Sequence, residues 1–188
     1  MSFSQTRYVD EVFSSVDVDS NILYATNISV LAGTPVPTGV SVIPALELEV
    51  YTPSGDTETS RPLIIHLHTG TFLPIIHNGN PTGTRFDAAT SMMCQGYAKR
   101  GYVTASVNYR LVGLLDVVNF LTYNSEQYEE VLKATFDIKA AIRYFRKDFA
   151  SGDTYGIDPS TIFIGGTSAG GIIAVHLAYL DNISDLPT

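Results

Sequence analysis

Alternation of apolar and polar residues marks the first part of the chain. The clearest case is Leu46–Tyr51, where apolar and charged residues alternate, as in a strand with one buried face and one face in water. Residues 7–18 and 22–31 are rich in β-branched residues and alternate in part, which also predicts strands. Glycines and prolines at 33–39 predict turns. We therefore expect antiparallel strands at the start of the fold.

The hydrophobic pattern then changes to short apolar runs. Leu63–Leu67 and Val103–Val107 are nearly continuous runs of apolar or small residues bounded by Pro or Gly. Runs of this kind are typical of strands that are covered on both faces. The apolar run Thr161–Ile164 predicts a further strand.

Helical patterns lie between these runs. Apolar residues recur near helical spacing over Phe86–Arg100 and Glu126–Phe149, and a helix-like stretch follows the last apolar run as far as Tyr179. Strands that alternate with helices indicate right-handed crossovers and a parallel sheet. We predict an α/β fold with one domain over residues 1–188. Antiparallel N-terminal strands lead into a parallel, doubly wound sheet that is incomplete at the C-terminus.

Composition narrows the possible classes of function. Of the 188 residues, 45% are hydrophobic and 16% are charged, as in globular domains. With 11 Lys+Arg and a net charge of −8, the chain is a poor match for nucleic acid, whose binding depends on neutralising phosphates. No run of ~18 apolar residues occurs, so we expect a soluble protein without a membrane span. No signal peptide is evident at the N-terminus, and the sequence does not predict whether the protein is cytoplasmic or secreted. The single cysteine, Cys94, is expected to be a buried thiol in a helix.

The pentapeptide Gly166–Gly170 is the strongest candidate for chemistry. It has the form G-x-S-x-G between a predicted strand and a predicted helix, the context in which this motif forms a nucleophile elbow. Ser168 at its apex is the candidate nucleophile, although a serine hydroxyl attacks an acyl carbon only when a base removes its proton. Alternatively, the Ser168 hydroxyl caps the helix that begins there.

Further motifs precede the pentapeptide in a characteristic order. They are Leu48–Pro53, Ile65–Phe72, Gly101–Val103 with Val107–Leu111, and Tyr155–Pro159 leading into Gly165–Gly171. In this order and at these spacings the chain resembles the α/β-hydrolase superfamily, specifically its carboxylesterase and lipase branch. The resemblance implies hydrolysis of short or medium carboxylic esters through an acyl-enzyme on a serine, without a cofactor.

The resemblance also implies an oxyanion hole, which is a pair of amide donors aimed at the charge of the transition state. The donors would be the amide of Ala169 and those of Gly70 and Thr71, in the loop after the buried strand. Two residues depart from the family's pattern: Thr69 stands where the first loop glycine is usual, and Thr71 where glycine or alanine is common. An ordinary polar turn is the alternative for this loop.

Apolar residues that follow Thr71 are expected to contact the acyl group. Phe72 and Leu73 are the candidate substrate-binding residues, with Ile75 and Ile76 beside them.

The histidines in this region do not indicate a metal site. His66 and His68 alternate on a strand, but no Asp, Glu or Cys stands near them at ligand spacing. We therefore interpret His68 as a hydrogen-bonding brace of the loop, and we predict no metal. His77 is expected at the surface.

The resembling family places its catalytic acid and histidine after the nucleophile. Here that region offers only His176, Asp181 and Asp185. His176 lies on the same helix as Ser168, about 12 Å further along its axis, which is too far for a hydrogen bond. None of the three fits the acid or base position. Arg110 and Asp137, which precede Ser168, are interpreted as structural charges.

Three interpretations remain open. We favour the first, in which the chain is the N-terminal part of a serine ester hydrolase and a second polypeptide supplies the acid and histidine. In the second, the chain is a non-catalytic relative that binds a ligand in the same cleft. In the third, Gly165–Gly171 cradles a phosphate at a helix N-terminus, although this segment matches neither the dinucleotide-binding nor the P-loop pattern.

Overall fold

The computed structural model describes residues 6–27, 29–30, 41–42, 45–113 and 117–180. The predicted turns at 33–39, as well as Asp181 and Asp185, lie outside these residues. The strands are β1 Val16–Thr26, β2 Ser29–Val30, β3 Ser41–Val42, β4 Ala45–Pro53, β5 Arg61–Leu67, β6 Val103–Val107 and β7 Ile157–Gly166. The helices are α1 Ile75–Asn78, α2 Ala88–Lys99, α3 Val117–Thr122, α4 Asn124–Ser151 and α5 Ala169–Tyr179.

Five of the strands form one mixed sheet in the order β1-β4-β6-β5-β7. Strand β4 pairs antiparallel with β1 and with β6, whereas β5 pairs parallel with β6 and β7. Strands β2 and β3 pair with each other in a separate ribbon. The predicted change from antiparallel to parallel pairing is confirmed.

The helices cover both faces of the sheet. Helix α2 packs on β4, β5 and β6, whereas α4 and α5 contact each other and β7. All five residues of β6 are buried, as predicted for a strand covered on both faces. Cys94 of α2 is also fully buried, and burial raises the pKa of its thiol to about 12, so the thiol is unreactive near neutral pH.

The strand predicted over residues 7–18 is wrong for its first part. Residues 7–15 form turns and loop, and one continuous strand, β1, begins at Val16. The amides of Tyr8 and Val12 donate to the carbonyl groups of Arg100 and Lys99 at the end of α2, at 2.7 and 3.0 Å. Since the last carbonyl groups of a helix lack partners within it, this segment satisfies the helix end instead of pairing in the sheet.

Helix boundaries agree closely with the hydrophobic pattern. Helices α2 and α4 begin and end within two residues of the predicted ranges. Helices α1 and α3 were not predicted, because four and six residues are too few to show a helical period. None of the helices in the described ranges has the length and apolar character that crossing a bilayer requires.

The predicted structural charges form a buried ion pair. Arg110 Nε lies 2.9 Å from the carboxylate of Asp137, whose side chain is fully buried. The Arg110 amide also donates to that carboxylate at 3.0 Å. The pair therefore joins the segment after β6 to helix α4.

Candidate active site

Ser168 lies in the tight turn between β7 and α5. Its backbone has φ 55° and ψ −118°, a conformation that residues with a side chain rarely adopt. The pentapeptide therefore forms the strained strand-to-helix turn that the motif predicts.

Contacts with β5 explain the glycines on either side of Ser168. A Cβ atom on Gly166 would lie 2.7 Å from the carbonyl oxygen of Leu67, and one on Gly170 would lie 2.5 Å from the same atom. A Cβ atom on Gly165 would meet no atom within 4 Å. The turn can rest on the end of β5 only because Gly166 and Gly170 have no side chains.

The alternative role of the Ser168 hydroxyl, capping the helix, is not supported by the structure. Ser168 occupies the N-cap position of α5, but its side chain makes no capping hydrogen bond. The residue is exposed. Its hydroxyl is therefore not engaged in stabilising the helix.

The loop after β5 has an unusual backbone. Gly70, Thr71 and Phe72 are consecutive residues with positive φ, at 118°, 56° and 60°. Such a value is an outlier for a β-branched residue, so the departure from the family's pattern at Thr71 carries strain. Thr69 is not among the residues with positive φ, and its side chain is accommodated without this cost.

His68 braces the start of this loop, as predicted. Its side chain is almost fully buried, and Nδ1 donates to the carbonyl oxygen of Thr69 at 2.6 Å. The ring stacks on Tyr109 with centroids 4.1 Å apart, and the Tyr109 hydroxyl donates to the His68 carbonyl oxygen at 2.9 Å. Burial lowers the pKa of His68, which keeps the ring neutral near pH 7.

A cavity of about 250 Å³ opens between the loop and the elbow. Its walls come from the loop after β5, the elbow and helices α3, α4 and α5. The lining residues are Thr71, Phe72, Phe120, Leu121, Gln127, Val131, Ser168, Ala169 and Ile172. The structure thus brings Ser168, Ala169, Thr71 and Phe72 together around one space.

Some predicted residues lie outside this lining. Leu73 is buried in the core cluster instead. Ile75 and Ile76 are exposed on α1, as is His77. The residues from α3 were missed because so short a helix gives no periodic signal, whereas Val131 did lie on the predicted apolar stripe of α4.

No base contacts Ser168 within the described ranges. His176 lies two turns further along α5, and its Nδ1 donates to the carbonyl oxygen of Ile172 at 2.9 Å. It shares with Ser168 only the edge of an open cavity of about 490 Å³, which Val175 also lines. In the part of the chain that the structure describes, no side chain hydrogen-bonds to the Ser168 hydroxyl.

Exposed apolar side chains lie on the strand before Ser168 and on the helix after it. Strand β7 is the last strand of the sheet in the described part of the chain, and 54% of Phe163 is exposed there. On α5, Ile172, Val175 and Tyr179 are exposed by 45%, 57% and 79%. Together, these four residues define what we call the β7–α5 face.

Comparison with known proteins identifies similar folds. Residues 48–188 match the family model BD-FAE. A search of the curated proteins finds no match to the chain.

Solved esterase structures are similar to this chain. A thermophilic esterase from the planctomycete Thermogutta terrifontis with bound butyrate is 24% identical at a TM-score of 0.52, over 80% of this chain and 43% of that one. The same esterase phosphonylated by cyclosarin is 21% identical at a TM-score of 0.50, over 92% of this chain and 49% of that one. Esterase B from Lactobacillus rhamnosis is 21% identical at a TM-score of 0.55, over 93% of this chain and 42% of that one. The chain spans less than half the length of these structures. Their similarity confirms the predicted α/β-hydrolase type of sheet.

Proposed function

Because the chain belongs to BD-FAE, an α/β-hydrolase-like esterase family, we propose that it carries the nucleophile of a serine carboxylic-ester hydrolase. The observation that carries this proposal is the backbone of Ser168, with φ 55° and ψ −118°, at the mouth of an apolar cavity. Strain of this kind persists only where surrounding contacts enforce it, and it concentrates at functional sites. The exposed Ser168 hydroxyl, which caps no helix, is available for attack.

The amides of Ala169, Gly70 and Thr71 form the proposed oxyanion hole. Ala169 is the first residue of α5, where amides lack partners within the helix. Among the described residues, no backbone hydrogen bond occupies the amide of Gly70 or Thr71. Donors left free in this way can bind the negative charge that develops on the carbonyl oxygen of an ester.

The proposed reaction proceeds through an acyl-enzyme. The Ser168 oxygen bonds to the acyl carbon while its proton passes to a histidine, and the electrons of the C=O bond move to the oxyanion. Collapse of this intermediate breaks the bond to the alcohol oxygen, which leaves with the proton. Water then attacks in the same manner and releases the carboxylic acid and Ser168.

A short or medium acyl chain suits the cavity. Its volume of about 250 Å³ and its mostly apolar side chains, among them Phe72, Phe120 and Val131, favour burial of an alkyl group over a charged one. The butyrate-bound esterase from Thermogutta terrifontis supports a substrate of this size. We keep Phe72 as a substrate contact, and we assign Leu73 to a supporting position behind it.

The acid and the histidine of the proposed site come from polypeptide outside the described residues. Two observations support this: no described base reaches Ser168, and the β7–α5 face exposes large apolar side chains beside it. A parallel strand at the edge of a sheet, beside an exposed apolar surface, favours addition of further strands. Residues 1–188 would then be the N-terminal portion of a single domain, with the acid and the histidine supplied by a further segment or by a second polypeptide.

Fluorophosphonate labelling combined with intact mass tests this proposal. The protein is purified from its natural source with any polypeptide that accompanies it, treated with the probe, weighed intact and digested. We expect one adduct on the peptide that contains Ser168, and none on a Ser168→Ala variant prepared identically. A protein of 20.4 kDa that never acquires an adduct would exclude the hydrolase and favour the ligand-binding alternative.

A further inference from the structure

The turn behind the oxyanion loop is held by one buried carboxylate. Asp87 is 5% exposed, and both its oxygens accept from the amide of Gly83, at 3.0 and 2.9 Å. The amide of Thr84 donates to Oδ1 at 3.0 Å, and the Thr84 hydroxyl lies 3.4 Å from the same oxygen. Asp87 thus satisfies two backbone donors of a turn that contributes no residue to the cavity.

Asp87 does not have the usual role of an aspartate at its position. It is the N-cap residue of α2, yet its side chain makes no capping hydrogen bond to that helix. An N-cap aspartate normally accepts from the first free amides of its helix. Here the carboxylate is directed to the preceding turn instead.

That turn is in backbone contact with the oxyanion loop. A Cβ atom on Gly70 would lie 2.7 Å from the Cα and 3.3 Å from the nitrogen of Gly83. Both glycines have φ values that residues with side chains rarely adopt, at 118° and 114°. The position of Gly83 therefore limits where Gly70 can lie.

Asn78 ties the same two segments together. Its Nδ2 donates to the carbonyl oxygen of Thr82 at 2.5 Å, and it lies 3.4 Å from that of Leu73, just beyond the oxyanion loop. The turn and the loop are thus connected by one side chain as well as by the contact between glycines.

We propose that Asp87 is a positioning residue for the oxyanion hole, holding Gly83 against Gly70 so that the Gly70 and Thr71 amides keep their direction. This role depends on the function proposed above for the loop. Oxyanion donors must lie about 2.7–3.1 Å from the developing charge, and the backbone strain at residues 70–72 persists only while neighbours enforce it. The carboxylate enforces it without contacting the substrate.

Amide hydrogen exchange gives a direct test that needs no catalysis. The amides of Leu73 and Val112 donate to the carbonyl oxygens of Gly70 and Phe72 at 2.9 and 2.8 Å, so their exchange reports the order of the loop. In Asp87→Ala we expect these two amides to exchange roughly 10- to 100-fold faster than in the wild type. Asp87→Asn keeps one carbonyl oxygen as an acceptor, and we expect an intermediate increase.

Asp158→Ala is the matched control. Asp158 also accepts from a backbone amide, that of Ser160 at 2.9 Å, but both residues lie at the start of β7, remote in sequence from the loop. We expect faster exchange at Ser160 with no change at Leu73 or Val112. The positioning role is wrong if Asp87→Ala speeds hydrogen exchange only at the amides of Gly83 and Thr84. It is also wrong if exchange becomes equally faster at all amides of β6.

A pair of glycine variants tests the contact even if Asp87→Ala does not fold. A Cβ atom on Gly83 would lie 3.1 Å from Asn78 and 3.4 Å from the Leu73 carbonyl oxygen, whereas one on Gly79 would meet nothing within 4 Å. Gly83→Ala should accelerate exchange at Leu73 and Val112, and Gly79→Ala should not. Equal exchange at these amides in the two variants would contradict the proposal.

Phosphonylation separates this role from the function itself. If wild-type Ser168 reacts with a fluorophosphonate, Asp87→Asn should slow that reaction by about tenfold or more, since lost oxyanion donors cost large factors in rate. An unchanged rate would overturn the positioning role. If the wild type never reacts, the proposed function fails, and the exchange data still decide whether Asp87 orders the loop.

Discussion

The elbow around Ser168 and the proposed oxyanion loop at 70–72 border the same cavity, but they are held in place differently. The elbow concentrates its strain in one residue and rests on backbone contacts between Gly166, Gly170 and Leu67. The oxyanion loop has positive φ at three consecutive residues, two of which carry side chains. Its support comes from side chains distant in sequence, which means that it can be altered from outside the site.

The largest effect is expected from closing the space beneath the elbow. Gly170→Ala would place a Cβ atom 2.5 Å from the Leu67 carbonyl oxygen, and backbone in a sheet cannot move aside cheaply. We expect a loss of about 3 kcal/mol or more in the free energy of unfolding, measured by chemical denaturation. Gly165→Ala, which meets no atom within 4 Å, is the control and should change stability by less than about 0.5 kcal/mol. Equal losses would refute the contact account of the motif.

Gly70→Ala makes the corresponding change in the oxyanion loop. The new Cβ atom would lie 2.7 Å from Gly83 Cα, at a φ of 118°. We expect a loss of about 2 kcal/mol, smaller than for Gly170→Ala because a loop can shift. Gly55→Ala, with φ 74° and open space around it, should cost only about 1 kcal/mol. A Gly70→Ala protein as stable as Gly55→Ala would show that the contact with Gly83 is unimportant.

The pH dependence of stability should reveal the buried side chain of His68, which braces the proposed oxyanion loop. Burial lowers the pKa of His68 below its ordinary value of 6.5, so below that pH the unfolded chain binds more protons than the folded one. The contribution of His68 to stability is therefore present above pH 6.5 and is lost as the pH falls, by at most about 1.4 kcal/mol per pH unit.

Comparison with a His68→Gln variant isolates this contribution. Burial also lowers the pKa of His66, so part of the pH dependence should remain in the variant. We expect denaturation midpoints of the variant to fall less steeply than those of the wild type between about pH 6.5 and 5. Parallel profiles would contradict a buried, neutral His68.

The smallest expected effect is a gain in stability. Thr71 is β-branched and has φ 56°, which costs about 1–2 kcal/mol relative to an ordinary backbone. Thr71→Gly removes this strain but increases the entropy of the unfolded chain, so we expect a net gain of at most about 1 kcal/mol in thermal or chemical denaturation. Thr69→Gly, at a residue without positive φ, should instead lose stability. A loss in both variants would show that Thr71 is not strained.

The same difference explains what could be predicted from sequence. The elbow could be predicted because its glycines adjoin Ser168 in the chain and because a strand and a helix flank it. The change from antiparallel to parallel pairing followed from the change in hydrophobic pattern near residue 60. Both signals are local, and local patterns survive in a single sequence.

What could not be predicted depends on contacts between distant segments. The residue types at Thr71 and Phe72 do not indicate positive φ. This conformation depends on neighbours such as Gly83. The lining residue Phe120 lies on a helix too short to show a period, and residues 7–15 avoid the sheet because the end of α2 binds them. For Thr71, Phe72 and residues 7–15, tertiary contacts override the local preference.

The central claim is that Ser168 becomes acylated. It is tested most directly by mixing the purified protein, with any polypeptide that accompanies it, with p-nitrophenyl butyrate, quenching in acid and mapping the adduct by mass spectrometry. The account predicts a butyryl group on the peptide that contains Ser168, and none in Ser168→Ala. Ester hydrolysis that persists in Ser168→Ala, or a butyryl group on another residue only, would contradict it.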